Sequence, residues 1–277
     1  RGRLLRAPRG LGTMGQLSSL MQIMQRAAHK AGRALNRDFG EVEHLQIARK
    51  GPADFVTAAD RRAEEIIYEE LNEKRPGYGF LMEERGEVRG TDKTHRWIVD
   101  PLDGTLNFMH GQPHFAVSIA LERMGEIVAG VVYNPANDEM FHAEKGYGAW
   151  VNDRRLRVAA RRELDTAVIA TGTPFYGKPG HARFLKELHQ VMGATAGIRR
   201  YGAASLDLAW VAAGRFDAFW ERDLKAWDIA AGLLLVREAG GFIEELDGGK
   251  DVLTTGNIAA GGDPILGKLM EKVRAAN

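Results

Sequence analysis

The stretch that most restricts how this chain can fold is residues 97–108, "WIVDPLDGTLNF". Trp97 to Val99 form an apolar run of strand character. Pro101, which has no amide proton for a ladder and a fixed φ, is expected to stop it. Asp100 and Asp103 would then stand at the carboxyl end of a buried strand, three residues apart across a turn. Carboxylates that close repel each other unless a proton or a cation lies between them, and oxygen-only ligands favour Mg²⁺, Mn²⁺ or Ca²⁺ over softer metals. Gly104 and Thr105 follow, with N–H groups that would face an anion if a helix begins there. Together these features point to a metal and a phosphate in one place. The plainer alternative is a turn: Asp-Gly is a common turn pair, and Asp100 would then serve as a cap.

Two further acidic positions bear on the choice. "FLMEERGE" ends a strand-like run with Glu83 and Glu84, and "KAWDIAAG" sets Asp228 at a helix start. Each alone reads as a surface glutamate or an ordinary capping aspartate. Three acidic groups at element ends are harder to assign separately, and jointly they favour the metal. The chain has no cysteine, which rules out thiolate metal sites, disulfides and a cysteine nucleophile, and which fits a reducing cytoplasm. A formal net charge of +1 provides no overall field for gathering nucleic acid or coating a membrane, so a small ligand is expected. No apolar run reaches the roughly 18 residues that a membrane span needs.

Periodicity organises the rest. Leu17 to about Phe39 carries apolar residues at spacings of three and four, a helix pattern, and Ala58 to Asn72 reads as a second helix with Thr57 as its cap and Ala63, Ile66, Ile67 and Leu71 as its buried stripe. "YGFLMEE", "HRWIVD", "FAVSIALER" and "EIVAGVVYN" read as strands, the last two joined by a turn near Met124-Gly125 and paired antiparallel. In the second half "AVIATG", "FDAFWE" and "GFIEEL" read as strands. His181 to Met192, "YGAASLDLAWVAAG" and "WDIAAGLLLVREAGG" read as helices, the last closed by Gly240-Gly241. No linker is long enough to divide the chain into independent domains. Residues 1–13, arginine-rich and aperiodic before Met14, are expected to be an extension, either appended or disordered, with a targeting peptide as the rival reading. Residues 14–277 are expected to form one domain, with an N-terminal half of about 14–150 and a C-terminal half of about 151–277.

"WIVDPLDGTLNF", "DFVTAAD" and "WDIAAGLLLVREAGG" resemble, in order along the chain from about Leu17 to its end, the signatures of the inositol monophosphatase family. That family lies within the lithium-sensitive, magnesium-dependent phosphatases that include fructose-1,6-bisphosphatase. The resemblance implies an α/β fold of the α+β kind, a layered αβαβα sandwich, and a homodimer. It implies that Glu83, Asp100 and the Leu102 carbonyl hold one Mg²⁺ and that Asp100, Asp103 and Asp228 hold a second, with Glu83 also touching a weaker third ion and Mn²⁺ as an alternative metal. The family has glycine before its glutamate where this chain has Met82, and spacing favours Glu83 over Glu84.

By the same resemblance, Thr105 and Asp60, the latter from "VTAAD", orient the attacking water, and Glu83 takes part in catalysis. Asp103, Gly104, Thr105, Ala204, Glu221 and Asp228 would bind substrate, with Glu221 accepting hydrogen bonds from inositol hydroxyls, "ATGTPF" forming another wall and Lys50 near the metals. The implied reaction is hydrolysis of a phosphate monoester, most simply myo-inositol monophosphate, by metal-activated water, without a protein nucleophile. Related substrates are fructose 1,6-bisphosphate, histidinol phosphate, NADP and 3′-phosphoadenosine 5′-phosphate. A reading of another class is a partner-binding regulatory protein that keeps the fold. His110 and His114 have metal-like spacing, but Gly111 and Pro113 make a helical pair unfavourable, so both are expected to be structural. No nucleic-acid or membrane partner is expected.

Overall fold

The structure, a computed structural model, describes residues 17–39, 47–51 and 54–276. The expected extension at residues 1–13 lies outside the described residues. In the first half the elements run α1 (Ser19–Phe39), β1 (Ile47–Gly51), β2 (Asp54–Thr57), α2 (Ala58–Lys74), β3 (Gly79–Met82), β4 (Gly86–Val88), β5 (His95–Asp103), α3 (Thr105–Met109), β6 (Ala116–Arg123), β7 (Glu126–Asn134), β8 (Glu139–Glu144), β9 (Gly148–Val151) and β10 (Arg154–Arg155). The second half continues with β11 (Val168–Thr171), α4 (His181–Met192), β12 (Gly197–Arg199), α5 (Ala204–Ala212), β13 (Ala218–Glu221), α6 (Ala226–Glu238), β14 (Phe242–Glu245), α7 (Val252–Thr255), β15 (Ile258–Gly261) and α8 (Ile265–Arg274).

Five layers follow from where these elements bury their apolar sides. α1 and α2 are amphipathic, and their stripes, including Met24, Ala31, Leu35, Ala63 and Ile67, pack with Phe80, Trp97, Val99, Val117 and Ile119 on one face of an eight-stranded sheet. That sheet has the order β10-β9-β8-β7-β6-β5-β3-β4. Alternate residues such as Ile98, Ala120, Val132 and Phe141 point to its other face, where they meet α5 and α6 through Leu206, Leu208, Ile229 and Leu233. α5 and α6 are apolar all round because a second sheet, β12-β11-β13-β15-β14, covers them from the far side. α4 and α8 close that sheet over Ile169, Ala218 and Trp220. The arrangement is the expected αβαβα sandwich, and its middle helical layer, α5 and α6, comes from the second half of the chain. Close packing there needs small residues: a Cβ on Gly130 of β7 would lie 3.0 Å from the Ala231 backbone in α6.

One local expectation is corrected. Pro101 does not stop the strand; β5 runs on to Asp103 through a bulge. Asp100 pairs with Ser118 and Asp103 with Ala116, so Pro101 and Leu102 together oppose Val117 alone. The missing proline N–H costs nothing in a bulge, where the ladder is already interrupted. The consequence is functional. Residues three apart on a regular strand point to opposite faces, but Ser118 and Ala116 are two apart and share a face, so their partners Asp100 and Asp103 share it as well. Ala116 packs in the core under α5 and α6, and the Ser118 hydroxyl donates to the Trp227 carbonyl at the start of α6. Both carboxylates are therefore aimed at the middle helical layer.

Candidate active site

Four acidic side chains reach this face from three element ends, those of β3, β5 and α6. β3 runs parallel to β5 with Met82 beside Val99, which brings the next residue, Glu83, alongside Asp100; the Glu83 N–H donates to the Val99 carbonyl at 3.2 Å. Asp228 lies in the first turn of α6, where its Oδ2 accepts the Lys225 N–H at 2.7 Å, the arrangement of a capping carboxylate. Asp100 Oδ1 accepts the Leu102 N–H at 2.9 Å, which stabilises the bulge. Asp103 Oδ2 accepts from Ser205, through its N–H at 2.7 Å and its hydroxyl at 2.5 Å. Each aspartate thus commits one oxygen to a donor that fixes the orientation of its carboxylate, local for Asp100 and Asp228 and distant in sequence for Asp103.

Burial and mutual repulsion hold these groups toward their neutral forms. Burial first, then the charges of Glu83, Asp103 and Asp228, raises the Asp100 carboxyl well above the usual range. Burial pushes Asp103 up to about 6, against the hydrogen bonds from Ser205 and Ala204. Burial and the Asp103 charge push Asp228 up to about 8. Glu83 acts on both Asp100 and Asp228, while the Glu84 N–H donates to Glu64. Among the described residues, no three carboxylate or imidazole side chains are already gathered closely enough to enclose an ion. Their chemistry nevertheless fits a hard divalent cation: the donors are all oxygen, their charges raise one another's pKa values, and those like charges need a positive partner before they can close together.

Beside this cluster stands a second unit. Thr57 caps α2, its hydroxyl accepting the Ala59 N–H at 3.1 Å, while Asp60 Oδ2 accepts from the Thr57 N–H at 2.8 Å and hydroxyl at 2.5 Å. The other Asp60 oxygen faces Thr105, whose hydroxyl lies 3.0 Å from Asp60 Oδ1 and 3.0 Å from the Leu102 carbonyl. Asp60 is fully buried, and burial raises its pKa in spite of these donors. Gly104 adopts the left-handed conformation, φ 92°, at the cap of α3, and a Cβ there would come within 3.0 Å of the His114 carbonyl.

A cavity of about 550 Å³ opens against the cluster, taking in Glu83, Glu221 and Asp228 with Gly172, Phe175, Lys178 and Trp227. Asp100, Asp103, Gly104, Thr105 and Ala204 lie outside its lining; Asp103 is joined to the second half through the first turn of α5 at Ala204 and Ser205. Glu221 ends β13, and burial followed by the Asp228 charge pushes it up to about 8. His110 is exposed, whereas His114 is packed against Tyr201 and Trp210 and driven by burial down to about 4. The Lys50 side chain lies outside the described residues.

The sequence reading missed two residues of this region. Ser205 orients Asp103, and nothing in "YGAASLDL" distinguishes its hydroxyl. Asp207 is 1% exposed in α5, neither of its carboxylate oxygens has a hydrogen-bond partner, and burial with the charges of Glu221 and Asp103 raises its pKa. A signal for it existed: it is the one charge in the apolar run "AASLDLAWVAA".

This five-layered α/β protein with acidic side chains converging at strand and helix ends has the fold of solved phosphatases. The profile of the inositol monophosphatase family matches residues 16–277, and the chain belongs to that family. It is 61% identical over 257 residues to a Mesorhizobium japonicum protein named inositol-1-monophosphatase, covering 93% of this chain and 97% of that one. It is 42% identical over 255 residues to the Escherichia coli protein named Nus factor SuhB, covering 92% and 96% respectively. The solved extragenic suppressor protein suhB of Bartonella henselae superposes with a TM-score of 0.91 at 59% identity, covering 93% of this chain and 99% of that chain.

Proposed function

We infer that this protein is a phosphoric monoester hydrolase that cleaves myo-inositol monophosphate to inositol and phosphate. The observation that carries the reading is the β5 bulge, which turns Asp100 and Asp103 to one face beside Glu83 and Asp228 and next to the Thr105–Asp60 pair. The name of the 61%-identical relative supports the substrate.

Glu83, Asp100, the Leu102 carbonyl, Asp103 and Asp228 would hold two or three Mg²⁺ ions, with Mn²⁺ as a substitute. Bound there, the cations supply charge neutralisation for the phosphate and acidify a water molecule. The chain's own part is orientation. Thr105 has one hydroxyl proton, and when Asp60 accepts it the oxygen lone pairs are left to accept from water, so the pair sets the direction from which water approaches phosphorus. The short span from Asp103 through Gly104 to Thr105 would hold the phosphate with the first turn of α5 at Ala204, while Glu221 and Asp228 face the alcohol. No side chain needs to become covalently attached to phosphorus. Li⁺ sensitivity, a homodimer and a cytoplasmic location complete the proposal; among the described residues no helix is long and apolar enough to cross a membrane.

A second reading, a partner-binding regulatory role on the same fold, is favoured by the name of the 42%-identical relative. Phosphate release separates the two. The assay would offer inositol 1-phosphate, fructose 1,6-bisphosphate, histidinol phosphate, NADP and 3′-phosphoadenosine 5′-phosphate, each with and without Mg²⁺. Mg²⁺-dependent release with inositol 1-phosphate preferred is expected. Release from none of them would leave the regulatory reading.

A further inference from the structure

Glu221 owes its position to the absence of a side chain on the neighbouring strand. β11 and β13 are parallel neighbours with Thr171 beside Trp220, so the next pair in register is Gly172 and Glu221. The Thr171 hydroxyl lies 2.8 Å from the Trp220 carbonyl and 3.0 Å from the Gly172 carbonyl, which ties the two strand ends together. A Cβ on Gly172 would fall 1.8 Å from Glu221 Oε1, 2.0 Å from its Cδ and 2.2 Å from Oε2. The carboxylate therefore lies across bare backbone. Gly172 is not in the left-handed region, so its backbone would accept an alanine, and the three atoms nearest a Cβ there all belong to the Glu221 carboxylate.

The remaining neighbours act on Glu221 from its other side and through charge. On its far side β13 pairs with β15, where Ile258 stands opposite Glu221. Asp228 and Asp103 repel the carboxylate while Arg200 and Lys178 attract it. Gly172 and Glu221 both line the cavity, and Gly172 is the point on its wall where Glu221 rests.

We propose that Gly172 is a specificity-determining position: its bare α-carbon seats the Glu221 carboxylate in the cavity wall at the depth where it accepts hydrogen bonds from a hydroxylated leaving alcohol. The proposal rests on the phosphatase reading above. Gly172 is a positioning residue, since it acts through Glu221 and contributes no polar side chain of its own.

The test compares inositol 1-phosphate with p-nitrophenyl phosphate, whose leaving group carries no further hydroxyl, using the full chain with Mg²⁺. Gly172→Ala is expected to raise KM for inositol 1-phosphate by about tenfold or more while leaving p-nitrophenyl phosphate turnover within about twofold. The residue preference at 221 should also reverse. With Gly172, glutamate serves better than Glu221→Asp; with Gly172→Ala, the shorter Glu221→Asp side chain clears the new methyl and serves better than glutamate. Should Gly172→Ala fail to fold, Glu221→Asp measured with and without Gly172→Ala still decides, because inositol 1-phosphate selectivity should rise when the methyl fills the gap left by the shorter acid. Equal losses on both substrates, or a Gly172→Ala change that worsens Glu221→Asp, would overturn the proposal. Wild-type protein that hydrolyses neither substrate would instead remove the phosphatase reading itself.

Discussion

Ser205 donates to a single oxygen of Asp103 twice, from its N–H at 2.7 Å and from its hydroxyl at 2.5 Å, across 102 residues of sequence. The pair fastens the end of β5 in the first half to the first turn of α5 in the second. Asp103 is thus a helix cap as well as a candidate metal ligand, and its two roles make different demands: capping needs an oxygen, and metal binding needs the charge as well.

Asparagine and alanine at position 103 should therefore separate those roles. Asp103→Asn keeps the accepting oxygen, so without metal it should melt at or slightly above the wild-type temperature, because one of several mutually repelling charges is gone. Asp103→Ala leaves the Ser205 and Ala204 donors unmatched and should cost about 1 kcal/mol, or roughly 2–4 °C in a protein of this size. Both should lose nearly all turnover. Both should also lose most of the stabilisation by Mg²⁺, which amounts to about 2.7 kcal/mol at a hundredfold excess over Kd for a ligand that binds only the folded state. Thermal melting in EDTA and in Mg²⁺ checks this, and a full Mg²⁺ shift in Asp103→Asn would remove Asp103 from the metal site.

Thr105 supports a second prediction, since its hydroxyl joins Asp60 to the Leu102 carbonyl. Thr105→Val keeps the shape and removes the O–H, and kcat for inositol 1-phosphate should fall by about a hundredfold or more with KM little changed. The same change deprives fully buried Asp60 of a donor and should cost about 1–3 kcal/mol of stability. Thr105→Ser should stay close to wild type in both respects. Steady-state kinetics with urea unfolding gives the answer; a valine variant that retains its kcat would show that the hydroxyl does not direct water.

Much of this site was legible in the sequence because its parts are local. Thr57 and Asp60 form a cap within one helical turn, Asp228 opens α6, and the periodicities of α1, α2 and α4 follow from each packing one side on a sheet. What stayed hidden depends on pairing between distant segments. The three-residue spacing of Asp100 and Asp103 looks like a strand followed by a turn until β6 supplies the register that reveals a bulge. β15, "IAAG", and β12, "GIR", are too short and too small-residued to show a period, and both exist because β13 and β11 offer them edges. Gly172 gives no sign of its importance until Glu221 lies beside it.

The buried acids also set how the metal-free protein responds to pH. Burial, aided by neighbouring charge, pushes Glu221 from its ordinary 4.5 up to about 8 and Asp228 from 3.8 up to about 8. A carboxyl whose pKa is higher in the folded state binds more protons there than in the unfolded chain, so stability must fall as pH rises through the folded value. His114 and His142 act in the opposite sense, because burial lowers both and their neutral forms favour folding above their ordinary 6.5. Between about pH 7 and 8.5 both histidines are largely neutral in either state, and the acids govern. In EDTA the melting temperature should therefore drop across that window, with a limiting slope of about 1.4 kcal/mol per pH unit for each proton released. Glu221→Gln combined with Asp228→Asn should reduce the drop, with buried Asp100 and Asp207 accounting for what remains. Saturating Mg²⁺ should reverse it, since the metal binds the deprotonated carboxylates and gains as they ionise. A wild-type melting temperature that rises with pH in EDTA would mean that these carboxylates are already ionised at neutral pH in the folded protein.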